Sequence, residues 1–397
     1  MYIQRTAENT VKNFSKQFKV ILVTGARQVG KSTLLKHCDK NRNYVSLDDL
    51  NERELAINEP KMFLENHKAP LIIDEIQYAP QLLSYIKLAV DSSDKKGQYW
   101  LTGSQQFHLM KNISESLAGR VGIIDLMGLS LSEISEQPYQ KPFNTKSELN
   151  IKPKNFSIDN IFSIIYNGFY PALNNKEEND RNAFYSSYIR TYIERDIRDL
   201  TSISDEMKFL TFIRVLAART GQVLKYSELA KEVGISQPTV KNWLSVLVSS
   251  NLVYLLPPYY KNISKRMTKM PKIYFLDTGL CSYLTGWSSP EVIKKGAMNG
   301  AFFETFVVSE IIKSYLHNGE TPLIYWYRDT LQKEIDLLIE KNGKLYPIEI
   351  KLTTNPNKTM VKNFDIIDNR GMGALICLQN TEMFLTDNIK IIPASSI

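Results

Sequence analysis

The sequence predicts an α/β protein that opens with a parallel sheet covered by helices, continues into a helix-turn-helix segment and ends in a second α/β region. Three observations predict this. Residues from about 15 to 135 alternate short apolar runs with helical stretches, as parallel strands joined by crossover helices do. Gly25-Ala-Arg-Gln-Val-Gly-Lys-Ser32 follows the apolar run Val20–Val23 and opens into the helical stretch Lys31–Lys36. Leu71-Ile-Ile-Asp-Glu75 is a short apolar strand that ends in adjacent carboxylates.

The glycine segment satisfies G-x-x-x-x-G-K-[ST] at every specified position, in the strand, loop and helix order of a P-loop. Gly25 and Gly30 let the backbone curl so that successive N–H groups face an anion, and the helix N-terminus adds its positive end. The predicted triphosphate cradle is Gly25, Ala26, Arg27, Gln28, Val29, Gly30, Lys31, Ser32 and Thr33. Lys31 reaches the β- and γ-phosphates and Ser32 offers its hydroxyl to Mg²⁺. Asp74 holds that Mg²⁺ directly or through water. Glu75 polarises the attacking water, because a base must lie within hydrogen-bond reach of the proton it takes. Taken alone, Asp74 and Glu75 read as a strand end running into a solvated turn. The complete glycine loop upstream makes ATP and Mg²⁺ the expected cofactors.

A third strand, Gln98-Tyr-Trp-Leu-Thr-Gly-Ser-Gln105, places Thr102 and Ser104 on one face at its end. Ligands of parallel sheets lie beyond the carboxyl ends of the strands. One of these hydroxyls therefore either senses the γ-phosphate or is an ordinary strand-to-turn hydroxyl. Arg120, at the end of Ser116-Leu-Ala-Gly-Arg120, reads either as a phosphate-sensing arginine or as a surface residue.

These segments resemble a family. The glycine loop, Tyr44-Val-Ser-Leu-Asp-Asp49, Leu71–Gln77, Leu101-Thr-Gly-Ser104 and Leu117-Ala-Gly-Arg120 are similar to those of prokaryotic AAA+-type ATPases. In that family a domain of unknown function follows the ATPase, with a winged helix and a restriction-endonuclease-like end. Gly168-Phe-Tyr-Pro171 and Tyr192-Ile-Glu-Arg-Asp-Ile-Arg198 resemble that second domain, so the likeness covers nearly the whole chain.

Composition bounds the rest. The 397 residues have room for two or three cores, and 43% hydrophobic with 23% charged residues is the balance of a soluble globular protein. Lys plus Arg number 49 against 42 Asp plus Glu, a net charge of +7 that is compatible with nucleic-acid contact without requiring it. No run approaches the roughly 18 apolar residues of a membrane span, and the N-terminus lacks the apolar core of a signal peptide. Cys38, Cys281 and Cys377 are scattered, which points to a reducing compartment, and the four histidines show no zinc-ligand spacing with them. A cytoplasmic protein without a membrane partner is expected.

Prolines, lysines and asparagines from Glu136 to Lys146 and through Lys152–Asn155 suggest a linker. A helix over Ala183–Leu200 carries Arg190, Glu194, Arg195, Asp196, Arg198 and Asp199, spaced either for ion pairs along one face or for an arginine reaching a nucleotide. Tyr226–Leu244 then reads as a helix-turn-helix: Ala230 sits where two helices cross, Gly234 suits the turn, Ser236 caps the second helix and Pro238 lies in its first turn. Apolar runs Asn251–Leu256 and Lys272–Leu276 are the expected wing strands. Between them Tyr259, Tyr260, Lys261, Lys265, Arg266 and Lys269 form a basic, aromatic wing that faces either DNA or a protein surface.

The C-terminal third predicts a helix over Gly296–Leu316, three strands, a helix near Thr359–Ile367 and a strand at Ala374–Cys377. Alternation puts Glu349 and Lys351 on one face of their strand, with Asp336 on the neighbouring strand. The set resembles the D…E-x-K constellation of restriction-endonuclease-like nucleases. The resemblance implies that Asp336 and Glu349 bind a second Mg²⁺ or Mn²⁺, that Lys351 activates water or stabilises charge, and that Glu304 assists. The expected division is an ATPase domain at 1–145, a helical linker at 146–205, a winged helix at 206–290 and a nuclease-like domain at 291–397. Two functions follow: an ATPase that couples ATP to DNA binding or metal-dependent DNA cleavage, or an ATP-driven switch whose C-terminal parts only dock protein partners or a second copy of the chain.

Overall fold

The computed structural model describes residues 2–103, 113, 116–146, 157–174, 180–193 and 206–397. Ser104, the segment Lys152–Asn155 and the charged run Glu194, Arg195, Asp196, Arg198 and Asp199 lie outside the described residues. The chain forms two compact units: Met1–Leu129 with Ser249–Asn251 and Leu316–Glu320, and the remainder.

The first unit contains α1 (Ala7–Gln17), β1 (Val20–Thr24), α2 (Lys31–Cys38), β2 (Asn43–Ser46), α3 (Leu50–Asn58), α4 (Pro60–Asn66), β3 (Leu71–Asp74), α5 (Leu82–Asp91), β4 (Tyr99–Gly103) and β5 (Val121–Asp125). Among the described residues the sheet runs β2-β3-β4-β1-β5, with every neighbouring pair parallel. Strand β1 is apolar on both sides because helices cover both faces; Val20, Ile21, Leu22 and Val23 are wholly buried. The register sets Val23 beside Thr102, Ile73 beside Leu101, and Ser46 beside Asp74. The carboxyl ends of β1, β3 and β4 therefore share one edge of the sheet.

The second unit contains α6 (Leu131–Ile134), α7 (Ile158–Asn167), α8 (Arg181–Tyr188), α9 (Glu206–Ala217), α10 (Tyr226–Val233), α11 (Gln237–Ser249), β6 (Val253–Leu256), α12 (Ile263–Thr268), β7 (Lys272–Phe275), α13 (Thr278–Leu284), α14 (Pro290–Lys295) and α15 (Asn299–Leu316). Strands β8 (Ile324–Arg328), β9 (Glu334–Lys341), β10 (Lys344–Ile350), β11 (Gly373–Cys377), β12 (Met383–Thr386) and β13 (Ile389–Pro393) follow, ordered β12-β13-β11-β10-β9-β8 in a mixed sheet.

The turn between α10 and α11 is as expected. Gly234 closes α10 at φ 71°, and the Ser236 hydroxyl accepts the Thr239 N–H at 3.2 Å to cap α11. Trp243 of α11 meets Phe209 and Phe212 of α9 edge-on, at 5.1 and 5.5 Å between ring centroids. Strands β6 and β7 pair antiparallel.

Four expectations are corrected here. The helix expected from Ala183 is α-helical only to Tyr188 and passes into a π-helical turn at Ile189–Ile193. The helix expected near Thr359 is a 3₁₀ helix over Lys358–Ile366. The sheet extends past β11 through β12 and β13, two short runs that the pattern of the tail did not reveal. Arg266 is not a free wing cation: its guanidinium donates to Tyr260 O at 2.6 Å and to Glu340 Oε2 at 2.7 Å.

Candidate functional site

The glycine loop leaves β1 through Gly25 at φ 145° and enters α2 through Gly30 at φ 93°, both in the region that favours glycine. A Cβ on Gly25 would stand 2.0 Å from the Leu126 carbonyl oxygen, so no other residue fits there. Lys31, the first residue of α2, folds back over the loop and donates to Gly25 O at 3.1 Å and Ala26 O at 2.9 Å. Burial lowers the pKa of its ammonium, against the opposing pull of Glu75 and Asp74.

Asp74 is the hub at the end of β3. Its Oδ1 accepts from Ser32 Oγ at 2.6 Å and from the Thr102 hydroxyl, and its Oδ2 accepts from Tyr44 OH at 2.8 Å. Thr102 in turn accepts the Glu75 N–H at 3.0 Å. Glu75 adopts the left-handed conformation at φ 57°, and its carboxylate accepts from Gln77 Nε2. Three adjacent strands and the first turn of α2 thus meet at Asp74, with Glu75 beside it. Thr102 orients Asp74 and the Glu75 backbone.

Arg120 is not brought to this edge. It immediately precedes β5, whose Val121 pairs with Val20 at the start of β1, the end of the sheet opposite the glycine loop. There its guanidinium grips both oxygens of Asp91, at 2.5 and 3.0 Å. The structure supports the surface-residue reading of Arg120 and corrects its assignment to the nucleotide.

Two residues that sequence reasoning missed hold the site. Arg5, 3% exposed, donates to Val29 O at 2.8 Å inside the glycine loop, and to Met127 O and Gly128 O at 2.8 and 3.1 Å. Nothing in its local sequence marks it. Tyr44 lies in a segment that resembles the family but carried no assigned role; its hydroxyl completes the Asp74 set.

The second candidate site lies in the mixed sheet. Lys351 Nζ reaches Glu349 Oε1 at 2.6 Å and Asp336 Oδ2 at 3.3 Å, so the two carboxylates face the same side of the hairpin. Asp336 Oδ2 also accepts the Ile350 N–H at 2.9 Å, where the β9–β10 ladder ends. Glu349 Oε2 is buried without a hydrogen-bond partner among the described residues. Burial, with Asp336 adding to it, pushes the Glu349 pKa up to about 8. Glu304, from α15, accepts Tyr274 OH at 2.6 Å and pairs with Lys272 at 3.3 Å. Burial raises its pKa; Lys272 opposes that rise and Asp336 adds to it. Lys272, read from sequence only as a wing-strand residue, is buried in β7 and also pairs with Glu334 at 2.6 Å. Lys351 thus contacts both Asp336 and Glu349, while Glu304 is held by Tyr274 and Lys272. Among the described residues, no group of three or more His, Cys, Asp or Glu side chains is arranged to hold a metal ion.

Residues 17–135 match the AAA domain family, residues 158–291 a domain of unknown function (DUF8612) and residues 299–397 a second one (DUF4143). The first unit thus has the fold of AAA-type P-loop ATPases. An uncharacterized protein of Mycobacterium tuberculosis is 28% identical over 396 residues, which is 99% of this chain and 84% of the relative. An uncharacterized protein of Methanocaldococcus jannaschii is 23% identical over 438 residues, spanning 98% of this chain and 86% of the relative. Among solved structures, a Walker-type ATPase of Pyrococcus abyssi aligns over 71% of this chain and 96% of its own, at 16% identity and a TM-score of 0.46. AMPPCP-bound DnaA of Aquifex aeolicus aligns over 61% and 85%, at 15% identity and a TM-score of 0.26. At these scores the fold assignment stands on the family match, the sheet order and the glycine loop. No helix among the described residues is long and apolar enough to cross a membrane.

Proposed function

We propose that the chain binds and hydrolyses ATP with Mg²⁺ at the glycine-loop site. The observation that carries this reading is the bond from Ser32 to Asp74, which brings a hydroxyl and a carboxylate, both hard oxygen donors, to the first turn of a phosphate-binding helix. The donor set and the Cβ-free cradle at Gly25 fit a Mg²⁺–triphosphate. Such a ligand supplies a transferable γ-phosphoryl group whose charge the metal partly neutralises. Lys31 would leave the loop carbonyls for the β- and γ-phosphates, Ser32 and Asp74 would hold the metal, and Glu75 would take the proton of the attacking water. The test is ATP turnover by the parent and by Glu75→Gln, with ATP binding measured on both. The reading stands if binding survives in the variant while turnover collapses.

A second reading concerns the C-terminal site, where the orphaned Glu349 Oε2 beside Asp336 favours a divalent cation and cleavage of a phosphodiester. Lys351 would then sit beside the scissile phosphate. The α10–α11 turn and the β6–β7 pair support a winged helix that grips DNA, and the division at residues 145, 205 and 290 belongs to the same reading. Incubating the chain with DNA, Mg²⁺ or Mn²⁺, and ATP tests it. Cleavage lost in Asp336→Ala supports a nuclease; no cleavage with either metal supports a switch that docks proteins through a nuclease-like scaffold.

A further inference from the structure

Leu316–Glu320, at the end of α15 and just past it, belong to the first unit although they lie far along the chain from the glycine loop. They are fastened to α1. The Thr10 hydroxyl donates to His317 O at 2.7 Å, and Gly319 turns the chain at φ 72°, where a Cβ would stand 2.5 Å from the Phe14 ring. His317 is 1% exposed, and its Nε2 accepts the Met127 N–H at 3.2 Å. A ring nitrogen that accepts carries no proton, so Nε2 is the unprotonated nitrogen.

Met127 belongs to a wall of the glycine loop. It lies in Leu126–Gly128, just past β5. Leu126 N–H donates to Thr24 O at 2.7 Å, and Leu126 O is the atom that a Cβ on Gly25 would meet. Met127 O and Gly128 O accept from Arg5, whose guanidinium also donates to Val29 O within the loop. His317 thus takes the N–H of Met127 while Arg5 takes its carbonyl. Met127 is itself buried, so a lost acceptor would leave its N–H orphaned rather than hydrated. Both clamps, Arg5 and His317, fall outside residues 17–135, the span that matches the AAA domain family.

We propose that His317 is a positioning residue of the nucleotide site. By holding Met127 it keeps Leu126–Gly128 seated against the glycine loop, and keeps the loop in the curl that receives a triphosphate. This role rests on the reading that the loop binds ATP. Without the Nε2 acceptor the Met127 N–H must find another partner. Leu126 O then shifts against Gly25, and the carbonyls that Arg5 shares with Val29 shift with it. A cradle of backbone N–H groups binds phosphate only while those groups converge. The effect falls on binding rather than on chemistry, because Asp74 and Glu75 are held independently by Ser32, Tyr44 and Thr102.

The test is ATP binding by calorimetry and steady-state ATP turnover in the full chain, for the parent, His317→Ala, His317→Leu and His317→Gln. Ala and Leu both remove the acceptor, and Leu refills the buried volume. Gln offers an amide oxygen near the position of Nε2. Ala and Leu should each weaken ATP binding and raise KM about fivefold or more, the low end for an orphaned buried N–H, with kcat within about twofold of the parent. Gln should bring the affinity back close to that of the parent. Val90→Ala, a core truncation in α5, controls for general loosening: it should lower the denaturation midpoint and leave ATP affinity unchanged. Absence of ATP binding by the parent would overturn the nucleotide reading and this role with it. In a parent that binds ATP, unchanged affinity in Ala and Leu, an equal loss in Gln, a fall in kcat alone, or an equal loss in Val90→Ala would each overturn the role of His317 by itself. Failure of both Ala and Leu variants to fold would do so as well, because His317 would then serve folding and not the site.

Discussion

Ser32 Oγ donates to Asp74 Oδ1 at 2.6 Å, and that bond ties the first turn of α2 to the end of β3. The same oxygen accepts the Thr102 hydroxyl, and the other accepts Tyr44, so the carboxylate is held from three elements before any ligand arrives. Side chains positioned in this way need little reorganisation on binding, which is what electrostatic stabilisation of a phosphoryl transfer requires.

Lys31→Ala should abolish or severely weaken ATP binding, read by calorimetry. The variant loses the charge facing the phosphates and also the two bonds by which Lys31 closes the loop on Gly25 and Ala26. An ATP affinity equal to that of the parent would remove the phosphate role from this loop.

Glu75→Gln should bind ATP as the parent does and turn it over about 100-fold more slowly or worse, the usual range for losing a general base. The glutamine keeps the shape and the backbone bond to Thr102 but accepts no proton. Unchanged steady-state turnover would assign the water to another residue.

Thr102→Val should fold but lose about 1–3 kcal/mol of stability, because the Glu75 N–H and the buried Asp74 carboxylate each lose a partner at constant shape. Turnover should drop more than ATP affinity, since the residue orients Asp74 and Glu75. Chemical denaturation and a kcat-against-KM comparison check the two effects separately.

Arg120→Ala should leave ATP turnover by this chain unchanged. Its guanidinium pairs with Asp91 at the start of β5, away from the glycine loop. A large fall in turnover would return Arg120 to the nucleotide.

The cysteines give a pH prediction. Burial pushes the Cys38 thiol up to about 12 and also raises Cys281 and Cys377. A group whose folded pKa is raised contributes stability that is complete below the unfolded value, near 9, and is lost as pH rises through the folded one. Stability should therefore decline between about pH 9 and pH 12 through these thiols. At pH 8, alkylation by iodoacetamide should be slow in the native chain and rapid once it is unfolded. Fast native labelling of Cys38 would show its thiol to be accessible and ionised.

The glycine loop was legible because its chemistry is local: Gly25, Gly30, Lys31 and Ser32 are adjacent in sequence and their spacing is the geometry. Asp74 and Glu75 were legible because they close a short apolar strand run, Leu71–Ile73, that follows the glycine loop in sequence. The turn between α10 and α11 was legible through Gly234 and Ser236, whose turn and cap depend only on near neighbours. Arg120 misled because a glycine-arginine pair after a helix says nothing about which end of the sheet it reaches.

The sequence by itself determined the two short-range motifs, the alternation of strands and helices in the first unit, and the placing of Glu349 and Lys351 on one side of their segment. All follow from spacing within a few residues. Only the tertiary structure decided that Tyr44 and Thr102 complete the Asp74 set, that Arg5 bonds to Val29 of the loop, and that Lys272 pairs with Glu304. These contacts join residues that are tens of positions apart in the chain or come from separate elements. Backbone periodicity records which face of its own element a side chain occupies, whereas its partner across space is set by the packing of whole elements, which no local spacing encodes.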